Sequence, residues 1–206
     1  PNEHKHPNRR LYALLKSALR MSDDDFRQPQ SLGLETVDVE IPPRLNPAQI
    51  EALTRMAGSE NALTDAYARL KASYGKTMVD LLRLRQKTIE NIPDIVLRPR
   101  GREDIVNIVR YCNEHRIPLY VFGGGSSVTR GMEAVYGGVT LDMSVHMKRV
   151  LDFNETDQTI TVEAGMWGPE LETTLNQAPE RLQAARRYTC GHFPQSFEYS
   201  LSLIHI

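Results

Sequence analysis

The chain has 206 residues, of which 40% are hydrophobic and 25% charged, with 13 glycines and 12 prolines. This profile excludes collagen-like, mucin-like and disordered classes, and a formal net charge of -1 argues against a nucleic-acid binder, which would carry a basic excess. Two cysteines cannot build a disulfide framework, nothing resembles a signal peptide, and no apolar run approaches the roughly 20 residues of a membrane span. A cytoplasmic setting is therefore the expectation, although the chain begins at Pro1 rather than Met and a signal further upstream stays open.

The first predicted element is a helix, because Leu11, Leu14, Leu15, Ala18 and Leu19 form one apolar stripe on a 3.6-residue period. Asp23-Asp24-Asp25 opens a polar stretch without periodicity, and Pro42-Pro43 and Pro47 bracket an extended connector. Pro47 fits the first turn of a second helix carrying Ile50, Leu53, Met56 and Ala57, with Gly58 as its stop. A third helical stretch is predicted from Leu63 to Tyr74. These pieces read as an N-terminal appendage. From about Asn91 the character changes. Ile95-Val96-Leu97 predicts a short buried strand ended by Pro99, and Ile105, Ile108, Val109 and Cys112 predict an amphipathic helix with Glu103 and Asp104 in its first turn. Leu119-Tyr120-Val121-Phe122 is the next strand, followed by strands at Val139–Leu141, Val150–Phe153 and Thr159–Glu163 and a short helix near Pro169 with Leu171 and Leu175. The order predicts an α+β or α/β fold built around a cofactor-type loop.

That loop is Gly123-Gly124-Gly125-Ser126-Ser127-Val128, directly after Phe122. Three glycines remove every Cβ from one turn, so backbone N–H groups can converge on an anion, and two serines add hydroxyl donors. Such a nest suits a pyrophosphate; from these residues alone a flexible hairpin loop stays open. Familiar phosphate fingerprints fail. A dinucleotide G-x-G-x-x-G would need glycine at Val128. A P-loop ending in Gly75-Lys76-Thr77 would need glycine at Leu70. The nucleophile elbow G-x-S-x-G fails at Val128 as well. Cys112 with His115, and Cys190 with His192, fall short of the four ligands of a structural zinc site, so no metal is expected. A second cluster, Tyr188 to Ser200, is dense in aromatic and hydrogen-bonding groups; alone it reads equally as a surface loop.

Taken in order, Ile92-Pro93-Asp94-Ile95-Val96-Leu97, the glycine loop, Val162-Glu163-Ala164-Gly165 and the run Gly191-His192-x-Pro194-x-Ser196-x-Glu198-x-Ser200 resemble the PCMH-type FAD-binding domain of the vanillyl-alcohol oxidase/p-cresol methylhydroxylase superfamily. Within it the likeness is to the alkyldihydroxyacetone-phosphate synthases and bacterial FAD-linked oxidases, whose upstream segment Tyr74-Gly75-Lys76 and Asp80 to Arg85 also resemble. The resemblance implies an α+β fold: a helical N-terminal region at 1–90, a truncated FAD-binding domain at 91–200, and a tail at 201–206 that departs from the family and is expected to be non-native.

It also implies roles. Val121, Phe122, Gly123, Gly124, Gly125, Ser126, Ser127 and Val128 would wrap the FAD pyrophosphate. His192, Gln195, Ser196, Phe197, Glu198, Tyr199 and Ser200 would line the flavin from the other side, with Gln195 standing where many relatives carry aspartate. No histidine lies in the glycine loop, so the FAD is expected to be non-covalent. The synthases' tyrosine and histidine-rich run would lie beyond residue 206, so no catalytic residue is assigned and the fragment alone is expected to be inactive. The implied activity is that of a synthase exchanging an acyl chain for a fatty alcohol, or of a flavin oxidase. A lactate- or glycolate-type 2-hydroxy acid dehydrogenase and a non-catalytic FAD-binding or structural module are the alternatives. Expected partners are a small-molecule or lipid-like substrate, with no nucleic acid and no transmembrane segment; a homodimer and peripheral membrane association stay open for the full-length form.

Overall fold

Alternation within two short apolar strands gives the central sheet two buried faces, and the computed structural model shows what covers each. The structure describes residues 9–27, 40–74, 77–125, 127 and 129–191. The chain divides into two units, Pro1–Thr36 and Val37–Ile206. In the first, α1 (Arg9–Leu19) and α2 (Asp23–Arg27) are helical. The predicted stripe on α1 exists, but Leu14 and Leu19 are each 62% exposed, so that stripe faces solvent rather than a core. Ser22 and Asp25 cap α2 reciprocally: the Ser22 N–H donates to Asp25 Oδ2 at 2.7 Å and the Asp25 N–H to Ser22 Oγ at 3.4 Å.

The second unit contains α3 (Pro47–Ala57), β1 (Ala62–Leu63), α4 (Ala66–Lys71), α5 (Met78–Arg85), β2 (Ile95–Leu97), α6 (Arg102–Glu114), β3 (Leu119–Phe122), β4 (Val139–Asp142), β5 (Val150–Asn154), β6 (Thr159–Val162), α7 (Gly168–Asn176) and α8 (Ala178–Arg181). The main sheet runs in the order β1-β2-β4-β3, with β1 antiparallel to β2 and the other pairs parallel. Ile95 and Leu97 point to one face, where they meet Leu53 and Ala57 of α3 and Ile108 and Cys112 of α6. Val96 and Phe122 point to the other, against Ala72 and Met132. Period-two alternation thus assigns each strand residue to one of two cores.

Two expectations are corrected here. Helix α3 is no appendage: Leu53 and Ala57 are fully buried in the same core as Ile95 and Leu97. Its apolar face was legible; its partner was not. The stretch predicted helical from Leu63 starts as the last residue of the two-residue strand β1 and becomes helical only over α4. Asp65 interrupts it, its side chain accepting the Ala68 N–H at 2.9 Å and so starting α4 only at Ala66. The remaining strands and α6 and α7 stand where the sequence places them, within a residue or two. The tail at 201–206 lies outside the described residues.

A second, smaller layer is the antiparallel hairpin β5–β6, which packs with α7 through Val150, Phe153, Ile160, Met166, Leu171 and Leu175. Its link to the main unit runs through Val162-Glu163-Ala164-Gly165. At Gly165 the backbone passes so close that an added Cβ would collide with the Met143 carbonyl oxygen and lie 2.8 Å from that of Met147. Glu163, 4% exposed at its side chain, takes the Arg149 N–H at 2.8 Å and that residue's guanidinium at 2.6 Å. The Arg149 hydrogen bond holds the Glu163 carboxyl below its ordinary range, against the opposing effect of burial. A depressed folded-state value means the stabilisation is present above the ordinary carboxylate range and is lost as pH falls through the folded value. Glu163→Gln is therefore expected to lower stability at neutral pH by about 1–2 kcal/mol. In thermal melts across an acid series, the deficit should close as pH drops below the carboxylate range.

Candidate functional site

The glycine loop leaves the carboxyl end of β3, beside the carboxyl ends of the parallel strands β4 and β2, the edge where open parallel sheets hold ligands. The Phe122 carbonyl accepts the Met143 N–H at 2.9 Å, locking loop and β4 end together. Gly125 takes φ +67°, and a Cβ there would lie 2.9 Å from the Phe122 ring; glycine is required on both counts. At the end of β4, the Ser144 hydroxyl and N–H both donate to Asp142 Oδ1, at 2.6 and 3.0 Å. On its other side Asp142 meets Arg98 at 3.5 Å.

Facing the loop across a cavity of about 410 Å³ stand Tyr67, Lys71 and Tyr74 from α4 and its extension, Leu84 of α5, and Trp167 at the start of α7. A volume of that order falls within the range of about 300–1,000 Å³ typical of small-molecule sites. Lining by backbone of three glycines on one side and by aromatic side chains on the other suits a flat ligand with an anionic part. The candidates Val121, Phe122, Gly123, Gly124, Gly125 and Ser127 are described, and of these Phe122 and the three glycines line the cavity. Val121 is 59% exposed and borders no part of it, while Ser127 Oγ accepts the Gly131 N–H at 3.0 Å. Ser126, Val128, His192, Gln195, Ser196, Phe197, Glu198, Tyr199 and Ser200 lie outside the described residues.

The approach to that second cluster is nonetheless anchored. The Glu172 carboxylate accepts the Thr189 hydroxyl at 2.6 Å and the Cys190 N–H at 2.9 Å. The Thr189 bond, ahead of lesser contributions from Cys190 and Asn176, holds its carboxyl below the ordinary range despite the cost of burial. Burial pushes the Cys112 thiol up to about 11 and, with Glu172 nearby, the Cys190 thiol likewise to about 11. Both are therefore protonated and poorly nucleophilic at neutral pH. Among the described residues no three His, Cys, Asp or Glu side chains are grouped to hold a metal ion.

Sequence reasoning missed the charged network behind the loop. Buried Glu133 takes a guanidinium N–H of Arg83 at 3.2 Å and the Asn91 amide at 2.7 Å, and pairs with Arg130. Arg130 also reaches buried Asp80 at 3.5 Å. The segment after the glycine loop is thereby tied to α5. The run Asp80 to Arg85 stood out only as part of the family resemblance, and nothing in it named the partners fifty residues on.

Comparison with known proteins decides the family. The family model described as "FAD binding domain" matches residues 93–198, more than half of the chain. The chain belongs to the FAD binding domain family. A relative from Dictyostelium discoideum, "Alkyldihydroxyacetonephosphate synthase", is 29% identical over 82% of this chain and 27% of its own length. A solved structure titled "alkyldihydroxyacetonephosphate synthase in P1" superposes with TM-score 0.71 and 28% identity, over 83% of this chain and 33% of that one. The mitochondrial "D-lactate dehydrogenase [cytochrome]" of Arabidopsis thaliana is 39% identical over 42% of this chain and 15% of its own length. The chain thus spans about a quarter to a third of the synthases it matches. The α+β fold is that of an FAD-binding domain, and FAD is its cofactor.

This FAD-binding domain depends on the network behind its loop. Glu133→Ala leaves Arg83, Arg130 and Asn91 without their shared acceptor. Breaking a buried pair typically costs about 3–5 kcal/mol; the two arginines are partly exposed, so a loss near the lower end is expected in urea denaturation, with Glu133→Gln intermediate.

Proposed function

We propose that residues 91–200 bind FAD non-covalently, with the backbone of Gly123, Gly124 and Gly125 and the serines of the loop holding its diphosphate, and His192 and Gln195 to Ser200 closing on the ring system. The observation that carries this reading is the glycine turn at the carboxyl end of β3, opening on a cavity with an aromatic far wall. When bound, FAD supplies the reactive flavin ring, while the protein supplies position and electrostatics. Phe122, packed against Val96, Ala72 and Met132, fixes the loop to the sheet. The lock between Phe122 and Met143 keeps Ser144 at the same edge.

For the whole protein we propose the synthase-type activity, replacement of the acyl chain of a lipid-like dihydroxyacetone phosphate ester by a fatty alcohol. Similarity to synthases over most of the chain supports it. The second reading, oxidation of a 2-hydroxy acid, is favoured by the higher identity to a D-lactate dehydrogenase over a shorter stretch. No helix among the described residues is long and apolar enough to cross a membrane.

The test separates binding from chemistry. In a version spanning the full length of the relatives, Gly124→Val should purify without the flavin absorbance of the wild type while matching the melting temperature of the flavin-free wild type, because the side chain occupies the anion's place and not the core. Full flavin content in the variant overturns the loop assignment. Anaerobic bleaching of the wild-type flavin by D-lactate or glycolate would select the dehydrogenase; no bleaching, with turnover of the acyl ester and alcohol, would select the synthase.

A further inference from the structure

The matched family region begins at residue 93, yet one wall of the cavity over the glycine loop comes from α4, more than twenty residues upstream. Among the described residues lining that cavity, Lys71 is the one charged side chain. It is exposed, and among the described residues it makes no hydrogen bond or ion pair. Several neighbouring cations are committed elsewhere. Arg98 is held by Asp142, Lys148 by Glu170, and Arg83 and Arg130 by Glu133. Arg69, on the same helix, is buried and donates to the Pro93 carbonyl at 2.7 Å. Among the described residues no carboxylate lines the cavity, so Lys71 presents an ammonium without a described counter-charge across from a glycine loop, whose backbone N–H groups carry partial positive charge.

Tyr67 stands one helical turn before Lys71, on the same face of α4, and is 74% exposed at the cavity's edge. A large aromatic left in solvent beside a free cation, both lining one cavity with the glycine loop, suits a ligand with an anion joined to a flat ring.

We propose that α4 is part of the cofactor site, with Lys71 as the counter-charge to the FAD diphosphate and Tyr67 packing against one of the dinucleotide's rings. The inference rests on the flavin reading above and adds residues outside the matched domain. It predicts that affinity for FAD depends on a helix the family region does not include, and that this dependence is electrostatic at Lys71 and apolar at Tyr67.

The experiment is a titration of flavin-free protein, spanning the full length of the relatives, with FAD followed by flavin fluorescence at low and high ionic strength. Lys71→Gln is expected to bind FAD about tenfold more weakly at low salt, as for loss of one charge-assisted contact, with the gap shrinking at high salt as screening grows. Lys71→Arg should stay within about threefold of the wild type because it keeps the charge. Tyr67→Ala should weaken FAD by a factor that salt does not change. Both positions are exposed, so melting temperatures of the flavin-free variants should match the wild type. Unchanged affinity in Lys71→Gln, or a gap independent of salt, overturns the proposal alone. A wild-type protein that binds no FAD overturns the flavin reading and this proposal together.

Discussion

The arrangement of the second unit hangs on one buried carboxylate. Asp94, 2% exposed at the head of β2, accepts the backbone N–H groups of Arg44 at 2.9 Å, Leu45 at 3.2 Å and Gly138 at 2.8 Å. Three main-chain donors offset the cost of taking a carboxylate out of water. The carboxylate in turn joins three segments distant in sequence: the lead-in to α3, the start of β2 and the start of β4. The Gly138 carbonyl returns the bond, accepting the Asp94 N–H at 2.7 Å. The parallel register of β2 on β4 is set at that point, and β3, paired to β4 from Leu119↔Val139 to Phe122↔Asp142, follows from it. The glycine loop at the end of β3 inherits its position from a carboxylate at the opposite end of the sheet.

The site itself is assembled from elements whose burial has little to do with ligand. Phe122 earns its place as core, filling the face of the sheet shared with Val96 and Ala72, and in doing so fixes where the following turn begins. The charges around that turn divide into two kinds. Arg83, Arg130, Asp80 and Glu133 neutralise one another behind the loop and act as scaffold. Such buried pairs stabilise mainly by being complete, since removing one member strands the rest. Lys71 differs, because it has solvent and an open cavity in front of it. Fixed dipoles and a charge free to turn toward them suit an anionic cofactor.

The hairpin β5–β6 with α7 forms the second layer, and Glu163 and Gly165 govern how it leaves the first. Gly165 lets two carbonyl oxygens approach closer than any side chain would allow. Glu163 satisfies the Arg149 N–H where β5 begins. The Val162-Glu163-Ala164-Gly165 run, which stands out in the sequence as a motif, is thus structural: a steric gap beside a buried hydrogen-bonding anchor.

Much of this was legible beforehand. Short apolar runs and their proline and glycine stops located β2 to β6 within a residue or two, and the 3.6-residue period located α3 and α6. A glycine run directly after an apolar strand announced the loop, because only absent side chains allow that turn, and its company of motifs announced FAD. What the sequence could not state was partnership. Ala62 and Leu63 are too few to show a period, so β1 exists only because β2 offers it an edge. The apolar stripe of α3 does not say that it covers Ile95 and Leu97, nor that of α1 that its leucines stay exposed. Asp94, Glu133 and Lys71 look alike as letters, each a charged residue near a hydrophobic segment. Local chemistry, read along the chain, determined the elements and offered an anion nest; the resemblance to a flavin-binding family named the cofactor. Which charges are spent on holding the fold and which is left to meet a ligand depends on distances between residues some fifty positions apart, and only the tertiary structure sets those.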